Sequence, residues 1–265
     1  MASRGSVYCE TLGSGPDLVM LHGWAMHGGL WRSFGEALAA HWRVTLVDLP
    51  GHGLSAPQPD YRLDAVVDTL LQAAPRRAHW LGWSLGGLLG LRVAECHPER
   101  IASLMLIGST PRFTAADHWP GMSHQSLAAM AIDLETDFQG TLRRFVGLQT
   151  FGQEGARALA RQIEADLAER PPPDSAALRG GLNLLQTVDL RPALASLAIP
   201  VLAVLGSRDR LVPKTLSAAL VELNPTIKIH ALPRAAHVPF LTESAETLGL
   251  IEAFLARETG REVGV

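Results

Sequence analysis

The stretch His79-Trp80-Leu81-Gly82-Trp83-Ser84-Leu85-Gly86-Gly87-Leu88 decides the reading of this chain. An apolar segment, His79–Leu81, runs into a small-residue turn, and helical spacing begins at Leu85. A serine between glycines at a strand-to-helix turn is the G-x-S-x-G pattern of an exposed nucleophile, because only small neighbours let the backbone turn that sharply. The alternative for Ser84 is a helix-capping serine in a glycine-rich connection.

Outward from that turn the chain alternates. Leu18–Leu21, Val44–Val47, Leu104–Ile107, Val201–Leu205 and Ile227–Leu232 are short apolar runs with the character of buried parallel strands. Leu63–Ala74, Leu85–Ala94, Leu216–Leu223 and Ala245–Ala256 carry helical spacing between them. Strand–helix alternation predicts an α/β fold, a mainly parallel sheet covered by helices on both faces. The alternation breaks after about Arg112. Leu127–Ile132, Phe138–Leu148 and Ala156–Leu167 read as helices without strands, and Pro171-Pro172-Pro173 stops the last of them. A helical insertion of this kind belongs over the strand ends, where ligands bind. The expected organisation is therefore a core of residues 1–111 and 184–265 with a helical cap, or lid, of residues 112–183.

A serine needs a base, and the base needs an orienting carboxylate. Asp209, in Gly206-Ser207-Arg208-Asp209, follows one expected strand, and His237, in Ala235-Ala236-His237, follows the next. The order Ser84, Asp209, His237 suits an α/β-hydrolase triad. Asp48 and Asp189 compete for the carboxylate role. His230 and His97 are read as structural, as is His22, a bonding partner for loop carbonyls. Acyl transfer also requires oxyanion donors. The backbone N–H groups of Leu85 and Trp24 are the two expected, the latter from the loop His22-Gly23-Trp24, and Trp24 is large enough to wall an acyl pocket.

The 265 residues suffice to bury roughly 70–75% of the unfolded surface without staples. A net charge of -3 supplies no global basic field for nucleic acid. Cys9, in an expected first strand, and Cys96, near a helix end, read as reduced thiols. The opening residues carry no apolar signal core, and no apolar run reaches membrane-spanning length. A cytoplasmic monomer that touches neither membrane nor nucleic acid is expected. No metal-ligand cluster or phosphate loop is visible, so no metal and no cofactor is expected.

The motifs His22-Gly23-Trp24, Asp48-Leu49-Pro50-Gly51-His52-Gly53-Leu54-Ser55, Gly82–Gly87 and the Asp209/His237 pair resemble the α/β-hydrolase superfamily. At closer range, Leu21–Trp24, Trp80–Leu88, the cap stretch Asp137–Gly152 and Ala235–Phe240 resemble the pimeloyl-[acyl-carrier protein] methyl ester esterases of biotin synthesis. That resemblance implies hydrolysis of a methyl ester on an acyl chain borne by acyl carrier protein. It supports Ser84, Asp209, His237, Trp24 and Leu85 in the roles above and places Phe145 and Gln149 at the substrate channel. Gly140 stands where some members carry a basic residue.

Acyl carrier proteins are acidic, so a matching enzyme should present arginines beside its channel. Arg144 adjoins Phe145, and Arg157 and Arg161 share a helix face at i, i+4. These three are the expected docking residues; the alternative is a solvated cap surface offset by Glu154, Glu164 and Asp166. Two other functions stay open: a general short-chain carboxylesterase or carbon–carbon bond hydrolase on the same triad, and a hydrolase-fold receptor that binds a small ligand.

Overall fold

A computed structural model describes residues 7–260. Seven strands form one sheet: β1 (Cys9–Leu12), β2 (Asp17–Leu21), β3 (Arg43–Val47), β4 (Ala78–Trp83), β5 (Ile101–Ile107), β6 (Val201–Gly206) and β7 (Lys228–Leu232). Their spatial order is β1-β3-β2-β4-β5-β6-β7. β1 pairs antiparallel with β3, and every other pair is parallel. The runs expected to be buried are buried in β2 to β6; the run Ile227–Leu232 is the exception, because β7 lies at the sheet edge and leaves His230 and Ala231 exposed. Leu18–Leu21, Leu81 and Leu104–Ile107 are at most 1% exposed, as a parallel sheet covered on both faces requires.

The core helices are α1 (Arg32–Leu38), α2 (Leu63–Ala73), α3 (Leu85–Cys96), α8 (Arg191–Ser196), α9 (Leu216–Leu223), α10 (Pro239–Thr242) and α11 (Ser244–Thr259). Between β5 and β6 stand four more, α4 (His124–Thr136), α5 (Phe138–Thr150), α6 (Ala156–Leu167) and α7 (Ser175–Thr187). Asp137 and Asp174 cap α5 and α7 with their carboxylates, so an acidic residue satisfies the first N–H groups of each. No strand interrupts these four helices; three coincide with the helical stretches read from the sequence, and α7, beyond the prolines, is a fourth outside that reading. The last of them runs on to Thr187, past the expected boundary at 183. Gly180 and Gly181 do not break it. They let it pack closely instead, since a Cβ on Gly181 would stand 2.7 Å from Cδ1 of Trp24.

The parallel strands share one direction, so their carboxyl ends share one edge of the sheet. Ser84 follows β4, Asp209 follows β6, His237 follows β7 and Trp24 follows β2. Topology alone therefore brings these four chain segments to the same side. The α4–α7 segment meets that side. Leu178 in α7 accepts a hydrogen bond from the Trp24 indole at 2.8 Å, and Asp174 N–H donates to Gly51 at 2.7 Å. Among the described residues no helix is long and apolar enough to cross a membrane. Cys9 is half-buried, Cys96 is exposed, and both are free thiols.

Candidate active site

Ser84 sits at φ 54°, ψ −118°, between the last residue of β4 and the first of α3. A non-glycine residue at positive φ is held there by its surroundings. Its N–H donates to Ile107 O at 3.0 Å and its carbonyl accepts from Ser109 Oγ at 2.7 Å. The flanking glycines are sterically required, because a Cβ on Gly82 would collide with the Gly86 carbonyl and one on Gly86 with the Leu21 carbonyl. The side chain of Ser84 makes no capping bond to α3, so the capping alternative has no geometric support.

His237 and Asp209 are fully paired. Nδ1 of His237 lies 2.7 Å from Oδ2 of Asp209, and both side chains are fully buried. The other carboxylate oxygen, Oδ1, accepts from the N–H groups of Leu211 at 2.7 Å and Val212 at 2.9 Å. A carboxylate only accepts, so this arrangement places the imidazole proton on Nδ1 and leaves the lone pair on Nε2. Nε2 is buried and has no hydrogen-bond partner among the described residues. Ser84 makes no hydrogen bond to it in this structure. The two chain segments are joined through the neighbouring residue, since the Trp83 indole donates to the His237 carbonyl at 2.9 Å.

The competing carboxylates are committed elsewhere. Asp48 is completely buried and accepts from Gly28 N–H, Leu54 N–H and the Arg170 guanidinium. Asp189 pairs with Arg191 and Arg112, and its hydrogen bond to Arg191 is the chief reason its carboxyl lies well below the usual carboxylate range. His22 is a loop brace, with Nδ1 on the Gly23 carbonyl at 2.8 Å and Nε2 accepting from Leu49 N–H at 2.8 Å. Burial holds it far below the ordinary histidine range. His230 is exposed on the edge strand β7.

Trp24 and Leu85 are completely buried, and neither backbone N–H donates to an acceptor among the described residues. The Trp24 ring meets Phe145 of α5 edge-on, with centroids 4.7 Å apart. Gln149, one turn further along α5, is 1% exposed; its backbone carbonyl accepts from His237 N–H at 3.1 Å, and its side-chain oxygen has no partner among the described residues. Phe145 and Gln149 thus both reach the expected site, one through Trp24 and one through His237. A cavity of about 430 Å³ adjoins this region, lined in part by Ala25, Met26, Leu142, Arg143, Val146 and Leu167.

The three expected docking arginines differ. Arg144 is about half exposed and bonds Asp137 at 3.1 Å, Asp133 at 3.3 Å and Thr141 Oγ1 at 2.9 Å. Arg157 and Arg161 are exposed on α6 and form no ion pair among the described residues. Sequence reasoning missed Arg170, which contacts Asp48 across 122 positions, and Gln153, whose side chain accepts from Ala236 N–H at 3.1 Å. Neither carries a local signal, because each acts on a partner distant in the chain. Among the described residues no group of three or more His, Cys, Asp or Glu side chains is placed to hold a metal ion.

The fold and this arrangement define a hydrolase class, and the α/β-hydrolase fold family model matches residues 16–244, so the chain belongs to that family. Within it, the chain is 45% identical to a pimeloyl-[acyl-carrier protein] methyl ester esterase of Methylococcus capsulatus, over 94% of this chain and 98% of the relative. It is 44% identical to the enzyme of the same name from Aeromonas hydrophila, over 94% and 99%. Among solved structures, an esterase from Exiguobacterium antarcticum superposes with a TM-score of 0.84 at 23% identity, covering 94% of each chain; at that identity the likeness speaks to the fold.

Proposed function

We propose that this chain is a serine carboxylesterase that hydrolyses the methyl ester of a pimeloyl chain carried on acyl carrier protein, as a step of biotin synthesis. The observation that carries the chemistry is the buried Asp209–His237 pair, whose free Nε2 lies on the same sheet edge as the strained Ser84 turn. The extent of the likeness to the esterase relatives supports the substrate.

In this reading Ser84 Oγ attacks the ester carbonyl carbon while Nε2 of His237 takes its proton. Asp209 holds the imidazole in the required tautomer and stabilises the imidazolium. The oxyanion that forms is met by the N–H groups of Trp24 and Leu85, each otherwise uncommitted; the Leu85 donor also lies at the positive end of α3. Collapse expels methanol, protonated by His237. Water then repeats the attack on the acyl-Ser84 ester with His237 as base, which releases the free carboxylate and restores the serine.

Residues 112–183 act as the cap. Phe145 and Gln149 face the acyl chain, Gln149 through a side-chain oxygen left without a protein partner. Arg144, Arg157 and Arg161 receive the acidic carrier. The enzyme works as a monomer in the cytoplasm, where its carrier-bound substrate is made. The test is direct. The protein should remove one methylene mass from methyl-pimeloyl carrier protein, and a phosphonate inhibitor should label Ser84. Turnover of p-nitrophenyl esters with the carrier-bound methyl ester untouched would make it a general short-chain esterase, and an adduct on Cys9 or Cys96 would refute the mechanism.

A further inference from the structure

The turn between α5 and α6 touches both loops that carry the acid–base pair. The Gln149 carbonyl accepts from His237 N–H at 3.1 Å. Two residues on, the Phe151 ring lies 5.1 Å from the Arg210 guanidinium carbon, next to Asp209. The carbonyl of Gly152, at φ 79°, accepts from Arg208 Nη1 at 3.0 Å. Gln153 Oε1 accepts from Ala236 N–H at 3.1 Å. The loops are also tied to each other, by Arg208 N–H on the Ala235 carbonyl at 2.9 Å. Four of the five residues from Gln149 to Gln153 therefore brace the residues on both sides of Asp209 and the peptide that leads into His237.

Hydrogen bonds within the helical segment alone would not need these contacts. Each bond spans from the segment to a core loop, and each core partner is within one residue of Asp209 or His237. A buried imidazole on a loop has its ring direction set by the backbone that carries it. The adjacent Ala236 and His237 N–H groups are both taken by the same short strap. We propose that the strap is a positioning device for His237 and that Gln153 is its side-chain member, a positioning residue that acts through the Ala236–His237 backbone. The proposal rests on His237 being the general base.

Its test compares two substitutions. Gln153→Met keeps the length of the side chain and removes the acceptor. Gln153→Glu keeps an acceptor oxygen at the same reach. Active sites are counted with a phosphonate, and kcat and KM are measured per active site on a small free ester across pH, with thermal melting alongside. Gln153→Met should lower kcat about three- to tenfold with KM and melting temperature near those of the parent, because misplacing a base slows chemistry without weakening ground-state binding. Gln153→Glu should recover kcat at alkaline pH, with the rising limb of its pH profile moved upward, since a nearby carboxylate favours the imidazolium. An unchanged kcat in Gln153→Met overturns the proposal. So does an equal loss in both variants, or a loss accounted for by fewer titratable sites or a lower melting temperature. Failure of the phosphonate to label Ser84 in the parent would instead strike the triad reading, and this inference with it.

Discussion

Arg170 places Nη1 2.6 Å from Oδ1 of Asp48, joining the turn after α6 to the loop after β3. Asp48 is completely buried and Arg170 nearly so. The same carboxylate holds Gly28 N–H at 2.6 Å and Leu54 N–H at 2.8 Å, and Arg170 also reaches Glu10 at 3.4 Å. One buried pair thus fixes the loop after Trp24, the loop after β3 and the α6–α7 connection relative to one another.

Removing the guanidinium leaves that buried charge with backbone donors alone. Arg170→Met is expected to cost about 3 kcal/mol of stability, the lower end for breaking a buried pair, because Gly28 and Leu54 continue to solvate Asp48. Denaturant unfolding checks this. A loss below about 1 kcal/mol would mean that the pair contributes no more than an exposed one.

Ser84→Ala should leave the fold unchanged and abolish turnover. The serine side chain makes no capping bond, and a Cβ is already accommodated at φ 54°. The loss in kcat should be on the order of 10⁴–10⁶, as for other triads, and His237→Ala should cost about as much because the two act as one unit. Circular dichroism beside the rate measurement separates the cases: more than about a tenth of activity retained would remove Ser84 from the mechanism.

Charge reversal on the cap should discriminate between substrates. Arg144 already bonds two carboxylates, so its reversal would also place three acids together. Arg157 and Arg161 have no such partners among the described residues, and their double replacement by glutamate is the cleaner probe. KM for the carrier-bound ester should rise about several-fold, less so at high salt, with hydrolysis of a small ester unchanged. Equal effects on both substrates would assign these arginines to the integrity of the cap.

Stability should fall on mild acidification. Burial pushes His52 down to about 4, and burial is also the chief cause that lowers His22, His27 and His79. In the unfolded chain these side chains titrate near pH 6.5. Below that pH the unfolded state takes up protons that the folded state refuses, so the stabilisation is complete above about pH 6.5 and is lost as pH falls toward 4. His52 alone contributes up to about 3 kcal/mol across that window. The depressed carboxyl of Asp60, down at about 2 through its hydrogen bond to Arg62, acts only at lower pH. Melting temperatures at pH 7.5 and pH 5 should differ clearly, and His52→Gln should narrow the difference; an identical difference in that variant would exclude His52 as a source.

Much of this protein is decided locally and is therefore legible in its sequence. Buried parallel strands must be short apolar runs, and the six read that way coincide with β2 to β7 to within a few residues. The turn at Ser84 demands glycines for reasons internal to residues 82–87 and the strands beside them, so it announces itself. Asp209 and His237 could be placed because a parallel sheet puts every strand's carboxyl end on one edge, and counting strands counts positions along that edge. Only the tertiary structure shows how the other two candidate carboxylates are engaged. Asp48 and Asp189 are set aside by Arg170 and by Arg112 with Arg191, and nothing within a few residues of Asp48 reveals a partner 122 positions away. The same holds for Gln153 on Ala236 and for Gly181 against Trp24. Periodicity and turn chemistry are properties of neighbouring residues, whereas a hydrogen bond between a cap turn and a core loop exists only once packing has brought the two together.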